Sequence, residues 1–319
     1  MEKKKISTAT SVAGVKFDSC VCNASGVKCT TLEELREIGR SDSCAIVMKS
    51  TKVEEEKGNP EPRWHHLGEN GMVQAMGLPG LGHKKYIEFS YKLKKYEKPI
   101  IASVVSTASG KEMIDEYVKL VTAFHLSSVD LIEVSIGCPS DPKKSQIGYD
   151  FKQTETLLRA IQNLGHKPVG LKLPPYFDPH HWDIMAELML RYNISFGSFI
   201  NSLGNVLVID PWKRSTVTKP KKGYAGLCGD GLEYIANANI NAFYERGEGK
   251  YSIFGVGAVK DGVSGFCRIL AGADALQVGT AFEMGNHRIF SKIDGGVAEM
   301  LRYHGFKSVQ EAKGQLLHI

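Results

Sequence analysis

The sequence predicts an α/β fold, a (β/α)8 TIM barrel. Eight short runs rich in β-branched and apolar residues alternate with longer amphipathic stretches. Several of the runs are continuously apolar, as strands buried on both faces of a parallel sheet must be. Glycine-rich turns follow the seventh and eighth runs, where barrels of this kind build a phosphate cradle. The alternation taken alone also admits a doubly wound parallel sheet.

The eight expected strands lie around Cys20–Asn23, Ala45–Lys49, Ile100–Val105, Leu131–Ile136, Val169–Leu173, Ser198–Asn201, Ser252–Val256 and Ala275–Val278. Helical patterns cover Thr31–Ile38, Glu112–Phe124, Phe151–Leu164, Trp182–Tyr192, Gly231–Tyr244 and Val263–Leu270. The first opens on a Thr with Glu three residues later, a capping box. Two connections are long, Thr51–Lys98 and Ser202–Lys250, and carry Gly, Pro and polar clusters. Loops of that length in a compact domain cover a site or an interface. With no repeat, linker or low-complexity tract, residues 1–319 read as one domain.

Composition narrows the class. A chain of 319 residues fits one large barrel, and 42% hydrophobic with 24% charged residues is ordinary for a globular protein. The net charge of +5 is a mild excess that hints at an anionic ligand and gives no sign of nucleic acid. Seven cysteines, with no Cys-x-x-Cys pair, argue against a disulfide framework and against zinc or iron–sulfur ligation. They read mostly as reduced structural thiols, and no metal is expected. No apolar run approaches 18 residues, and the leading lysines are followed by no apolar signal region. The expectation is a cytoplasmic protein with no membrane span.

Function in such a barrel sits on the loops after the strands. Those loops hold Asn23-Ala24-Ser25-Gly26, Lys49-Ser50, Ser135-Ile136-Gly137-Cys138-Pro139-Ser140, Lys172 before Pro174-Pro175, Asn201-Ser202, Gly255-Val256-Gly257-Ala258 and Gly279-Thr280. Glycine at the last two turns lets backbone N–H groups approach a phosphate, although plain tight turns would read the same. Lys49 and Lys172 stand at strand ends, where burying an ammonium is costly unless something anionic meets it. A reduced flavin would meet that need; snorkelling to solvent is the bland alternative. Cys138, between Gly137 and Pro139 at the barrel mouth, is a base or nucleophile if nearby positive charge lowers its pKa. On the residues alone, a structural thiol fits it equally well.

Taken together, these segments resemble class 1A dihydroorotate dehydrogenases, the soluble fumarate-linked branch. The likeness runs over nearly the whole chain and rests on Gly58-Asn59-Pro60-Glu61-Pro62-Arg63, Met76-Gly77-Leu78-Pro79, Cys138-Pro139, Gln146 with Tyr149-Asp150-Phe151, Lys172 with Pro174-Pro175-Tyr176-Phe177-Asp178, Asn201-Ser202 with Gly204-Asn205, Lys219-Pro220-Lys221 and Gln277-Val278-Gly279-Thr280. The resemblance implies FMN, its phosphate at Gly257, Ala258, Gly279 and Thr280. It implies the flavin ring near Ala24, Ser25, Gly26, Lys49, Ser50, Lys172, Ile200 and Gly229. Cys138 would take the proton from the substrate, with Lys49 beside it, while a hydride passes to the flavin. Lys49, Gln74, Met76, Gly77, Leu78, Ser135, Ser140, Asn201 and Ser202 would hold the substrate. A small acid such as fumarate would reoxidise the flavin, and the family is usually a homodimer.

The chain departs from the family pattern at defined places. The strand-four motif Asn-Leu-Ser-Cys-Pro-Asn reads Ser135-Ile136-Gly137-Cys138-Pro139-Ser140, and Asn-Ser-Met-Gly-Leu-Pro-Asn reads Gln74-Ala75-Met76-Gly77-Leu78-Pro79-Gly80. Asn-Gly becomes Asn205-Val206, and Gly-Gly becomes Gly257-Ala258. The missing asparagines are the groups whose paired donors and acceptors read the amide edges of a pyrimidine. The base, both lysines and the cradle survive. Three readings stand: dihydroorotate oxidation; the same chemistry on another small cyclic substrate; and a flavin-binding protein without turnover.

Overall fold

The computed structural model describes residues 6–139 and 146–319. Eight parallel strands make one sheet: β1 (Val21–Asn23), β2 (Ile46–Val47), β3 (Ile100–Val104), β4 (Leu131–Ser135), β5 (Val169–Lys172), β6 (Phe196–Phe199), β7 (Ser252–Val256) and β8 (Ala275–Val278). Its order is β1-β8-β7-β6-β5-β4-β3-β2, so each strand from β2 to β8 pairs with its sequence neighbour and β8 returns to β1. That order is the (β/α)8 barrel and excludes the doubly wound alternative. The sixth strand lies two residues earlier than the hydrophobic pattern indicated. The chain leaves it through a cis peptide between Phe199 and Ile200.

The barrel closes at the β1–β2 seam with little ladder. The Asn23 carboxamide accepts the Val47 N–H at 2.9 Å and donates to the Val47 carbonyl at 2.7 Å. The Cys44 N–H donates to the Val21 carbonyl at 2.9 Å, and the Asn23 N–H to Ser43 Oγ at 3.2 Å.

Helices α1 (Leu32–Arg40), α2 (His83–Leu93), α3 (Gly110–His125), α4 (Phe151–Ile161), α5 (Pro179–Arg191), α6 (Glu233–Gly247), α7 (Gly262–Leu270), α8 (Thr280–Met284), α9 (Ile289–His304) and α10 (Val309–Ala312) complete the chain. The capping box of α1 forms as expected between Thr31 and Glu34. Asp178 caps α5 ahead of Pro179 at its first turn. Helix α2 was not expected: it lies within the stretch read as the first long connection, begins at Gly82 with no side-chain cap, and buries Tyr86, Phe89 and Leu93. Helices α9 and α10 at the carboxyl end were also not anticipated.

Apolar side chains fill two regions. One lies between barrel and helices. The other fills the barrel floor, where Phe17 and Phe196 each meet Phe254 edge-on at 6.0 and 5.7 Å. A hairpin of Thr10–Val12 and Val15–Phe17 sends Val12 and Phe17 into that floor. Each phenylalanine buried there contributes roughly 1.5–3 kcal/mol. The plugged floor leaves the carboxyl ends of the strands as the open mouth.

The two long connections are not structureless. Trp64–His66 pairs antiparallel with Gly71–Gln74 in the first, Gly71–Gln74 with Tyr224–Gly229 of the second, and Tyr224–Gly229 with Leu203–Leu207. Met72 lies opposite Cys228 and Gln74 opposite Gly226. This four-stranded sheet forms a side wall over the mouth. Among the described residues, no helix is long and apolar enough to cross a membrane.

Candidate active site

A cavity of about 570 Å3 opens at the barrel mouth, between the strand ends and the wall. Most of the residues marked in the sequence line it: Ala24, Ser25, Gly26, Lys49, Ser50, Gln74, Met76, Leu78, Ser135, Cys138, Lys172, Ile200, Asn201, Ser202, Gly229, Gly257, Ala258, Gly279 and Thr280. Gly77 does not line it. Its φ is +74° and a Cβ there would meet the Asn59 backbone at 2.5 Å, so the turn requires glycine at this position. Ser140 lies outside the described residues.

Cys138 is half-buried on the loop leaving β4. Gly137 lets that loop press against the end of β5, because a Cβ there would stand 2.3 Å from the Pro174 nitrogen. The loop is held by the Ile136 and Gly137 N–H groups on the Lys172 carbonyl at 3.0 and 3.1 Å, by Tyr117 Oη on the Ser135 carbonyl at 2.9 Å and by Lys221 Nζ on the Pro139 carbonyl at 2.9 Å.

The floor of the site is a buried polar network that the hydrophobic pattern concealed. Glu133 is fully buried at the centre of the barrel. It accepts from Ser103 Oγ at 3.1 Å, Ser198 Oγ at 2.7 Å and Gln277 Nε2 at 3.3 Å, and Lys172 Nζ stands 4.0 Å away. Ser103 continues to Ser50 at 2.9 Å, and Ser50 to Ser25 at 2.7 Å on the cavity surface. A buried carboxylate needs such partners. Lys49 Nζ, also buried, donates to the Gly26 carbonyl.

The far side offers unpaired backbone donors. Gly257 has φ +102° and Ala258 φ +54°, the latter strained for a residue with a Cβ. Among the described residues, the N–H groups of Gly257, Ala258, Gly279 and Thr280 find no acceptor. A Cβ at Gly279 would meet only the Ala24 Cβ, at 3.9 Å. This is a cradle open to an anion. Among the described residues, Gly77 and Leu78, both left-handed, leave two more such N–H groups beside the cavity-lining Met76.

Sequence reasoning missed several lining residues, among them Arg63, Trp64, Asn70, Met72, Cys228 and Lys260. Cys228 was counted with the structural thiols; burial pushes its pKa up to about 12, eased by Ser202 and Gln74. Glu133 was the legible omission, since an acid in the middle of an apolar strand asks for an explanation.

A barrel mouth with a cradle of open backbone N–H groups, two buried lysines and a thiol suits a cofactor-dependent oxidoreductase. The comparisons make the class particular. The family model for dihydroorotate dehydrogenase matches residues 7–301, and the chain belongs to that family. A relative from Streptococcus uberis is 38% identical over 98% of this chain and 99% of its own length. The dihydroorotate dehydrogenase A (fumarate) of Lactococcus lactis subsp. cremoris is 37% identical over 96% of this chain and 98% of its own. A ligand-free DHODH structure from Eimeria tenella shares the fold, with TM-score 0.83 at 16% identity, covering 99% of this chain and 93% of that one. The family's cofactor is FMN, and the open cradle and the paired lysines fit it.

Proposed function

We propose that this chain oxidises dihydroorotate, or a close analogue, to the corresponding unsaturated acid, and that a fumarate-like acid accepts the electrons. The observation that carries the reading is the presence of Cys138, Lys49, Lys172 and the cradle on one cavity.

Gly257, Ala258, Gly279 and Thr280 would hold the FMN phosphate, and Ala24, Ser25, Gly26, Ser50, Ile200 and Gly229 would bed its ring. When bound, FMN supplies the hydride acceptor. Cys138 takes the proton from the adjacent substrate carbon. Lys49 and the N–H groups of Gly77 and Leu78 hold the substrate carboxylate, a charge-assisted arrangement that fixes the carbon acid against the thiol. Met76, Gln74, Ser135, Asn201 and Ser202 line the substrate side. Lys172, 4.0 Å from Glu133, would stand beside the ring and stabilise negative charge there. Lys221 holds the backbone beside Cys138, and the wall keeps water from the thiol.

We also propose that residues 1–319 act as one domain, in the cytoplasm, as a homodimer. The exposed side chains of Leu207, Ile209, Trp212 and Tyr224, on the wall and its adjoining hairpin, support the last point.

Anaerobic mixing with dihydroorotate tests the reading: the flavin absorption should bleach, and Cys138→Ala should slow the bleaching by 10²–10⁴-fold while the protein stays yellow. Absence of bleaching at millimolar dihydroorotate would reject orotate chemistry. Reduction by another small cyclic acid would then support the second reading, which the Gln74 and Ser135 departures favour.

A further inference from the structure

The loop after β1 returns twice to the segment that follows β8. At its start the Ala24 N–H donates to the Val278 carbonyl at 2.9 Å, just before Gly279. Further along, Lys28 Nζ donates to the carbonyls of Phe282, Glu283 and Gly285 at 3.0, 2.8 and 3.1 Å, just past Thr280. Gly279 and Thr280 are thus bracketed by two ties to one loop. Between those ties the loop carries Ala24, Ser25 and Gly26. Lys49 holds the same loop, its Nζ on the Gly26 carbonyl and its N–H on the Cys29 carbonyl at 3.1 Å. An ammonium has three protons and no acceptor, and in Lys28 each proton meets a carbonyl. Those carbonyls lie at the end of α8, where a helix has no N–H of its own to offer them. Helix α8 has five residues, too few to be stable alone. It is held by Phe282, fully buried against Phe290 at 4.9 Å, and by Lys28, whose Nζ also stands 5.3 Å from the centre of the Phe282 ring. Lys28 lines the same cavity, but with its protons engaged it has none left for a phosphate.

We propose that Lys28 is a positioning residue for FMN: it sets the spacing between the loop that beds the ring and the cradle that holds the phosphate. The inference rests on the ring bed and cradle assigned above. A ligand that spans both gains from each half only if the two are held at the spacing its ribityl chain requires. At that spacing the second contact is made intramolecularly, at high effective concentration. Without the tie, α8 and the loop are free to shift apart. A two-ended ligand then loses part of that advantage, roughly ten- to a hundredfold in affinity. A ligand that uses the ring bed alone loses little.

Riboflavin tests this against FMN, because it shares the ring and ribityl chain and lacks the phosphate. Each is titrated into the flavin-free full chain, and binding is read from the change in flavin fluorescence. Lys28→Met should weaken FMN about ten- to a hundredfold and riboflavin less than about threefold. The difference should persist in about 0.5 M KCl, where a charge acting on the phosphate from a distance is screened beyond about 4 Å. A merely structural lysine would instead lower both affinities alike, together with the melting temperature of the flavin-free chain, and that result would overturn the proposal. So would an unchanged FMN affinity, or a loss that vanishes in high salt. If Lys28→Met does not fold, Lys28→Gln, which keeps two donor hydrogens, should show a smaller loss confined to FMN. Wild-type protein that binds FMN no tighter than riboflavin would overturn the cradle assignment itself, which separates that failure from a failure of the role given to Lys28.

Discussion

The side chain of Asn23 takes the place of a strand at the barrel seam: it holds both the N–H and the C=O of Val47, at 2.9 and 2.7 Å. Asn23 and Val47 are both fully buried. Asn23→Ala would leave two backbone groups without partners where water cannot reach them. The expected loss is about 2–4 kcal/mol of unfolding free energy, read from urea denaturation. A loss under about 0.5 kcal/mol would show that the seam is held by other contacts.

Lys172 and Glu133 form a pair that is costly to break on one side. Lys172→Met should destabilise by roughly 3–5 kcal/mol, since it strands a buried carboxylate. Adding Glu133→Gln should restore most of that loss, because the serines and Gln277 still bond a neutral amide. If the double variant is no more stable than the single one, the two groups are not coupled.

Ala258 sits at φ +54°, where a Cβ costs about 1–2 kcal/mol and glycine does not. Ala258→Gly loses some of that relief to chain entropy, so the expected change is between zero and about +1 kcal/mol of stability. Ala258→Val should destabilise. Thermal melts of the three proteins check this, and a clearly destabilised Ala258→Gly would contradict the left-handed conformation.

Burial raises the Cys228 pKa from 9.0 to about 12. A group whose folded pKa is raised holds its proton more tightly in the folded state. Its stabilising share is complete below about pH 9 and is lost as pH climbs toward 12. Wild-type protein should therefore lose more melting temperature between pH 8 and pH 10.5 than Cys228→Ala does. Equal losses would mean that Cys228 is not the group responsible.

Much of the barrel was legible because its strands are buried on both faces and are therefore largely apolar. Residues 100–102 and 253–256 stand out for that reason, and Thr31 with Glu34 marked a helix start by local chemistry alone. Helix α2 was hidden because its apolar face, Tyr86, Phe89 and Leu93, is diluted by Lys84, Lys85 and Lys92 and has no capping residue. The wall sheet was hidden for a different reason: its pairing joins Gly71–Gln74 to Tyr224–Gly229, and nothing local announces a partner so distant. The lining residues at strand ends followed from the barrel rule. Cys228 and Met72 followed from the wall, and so were missed together.

That wall has a consequence for how the protein comes to have a site at all. Met72 and Cys228 face each other across about half the chain length. Closing a loop of that size is entropically costly until the intervening strands have collapsed into the barrel. The cradle and the lysines sit on strands that pair with their sequence neighbours, so they can assemble early. The wall contributes Gly229 to the proposed flavin bed as well as Gln74 to the substrate side. One long-range pairing therefore completes both halves of the site.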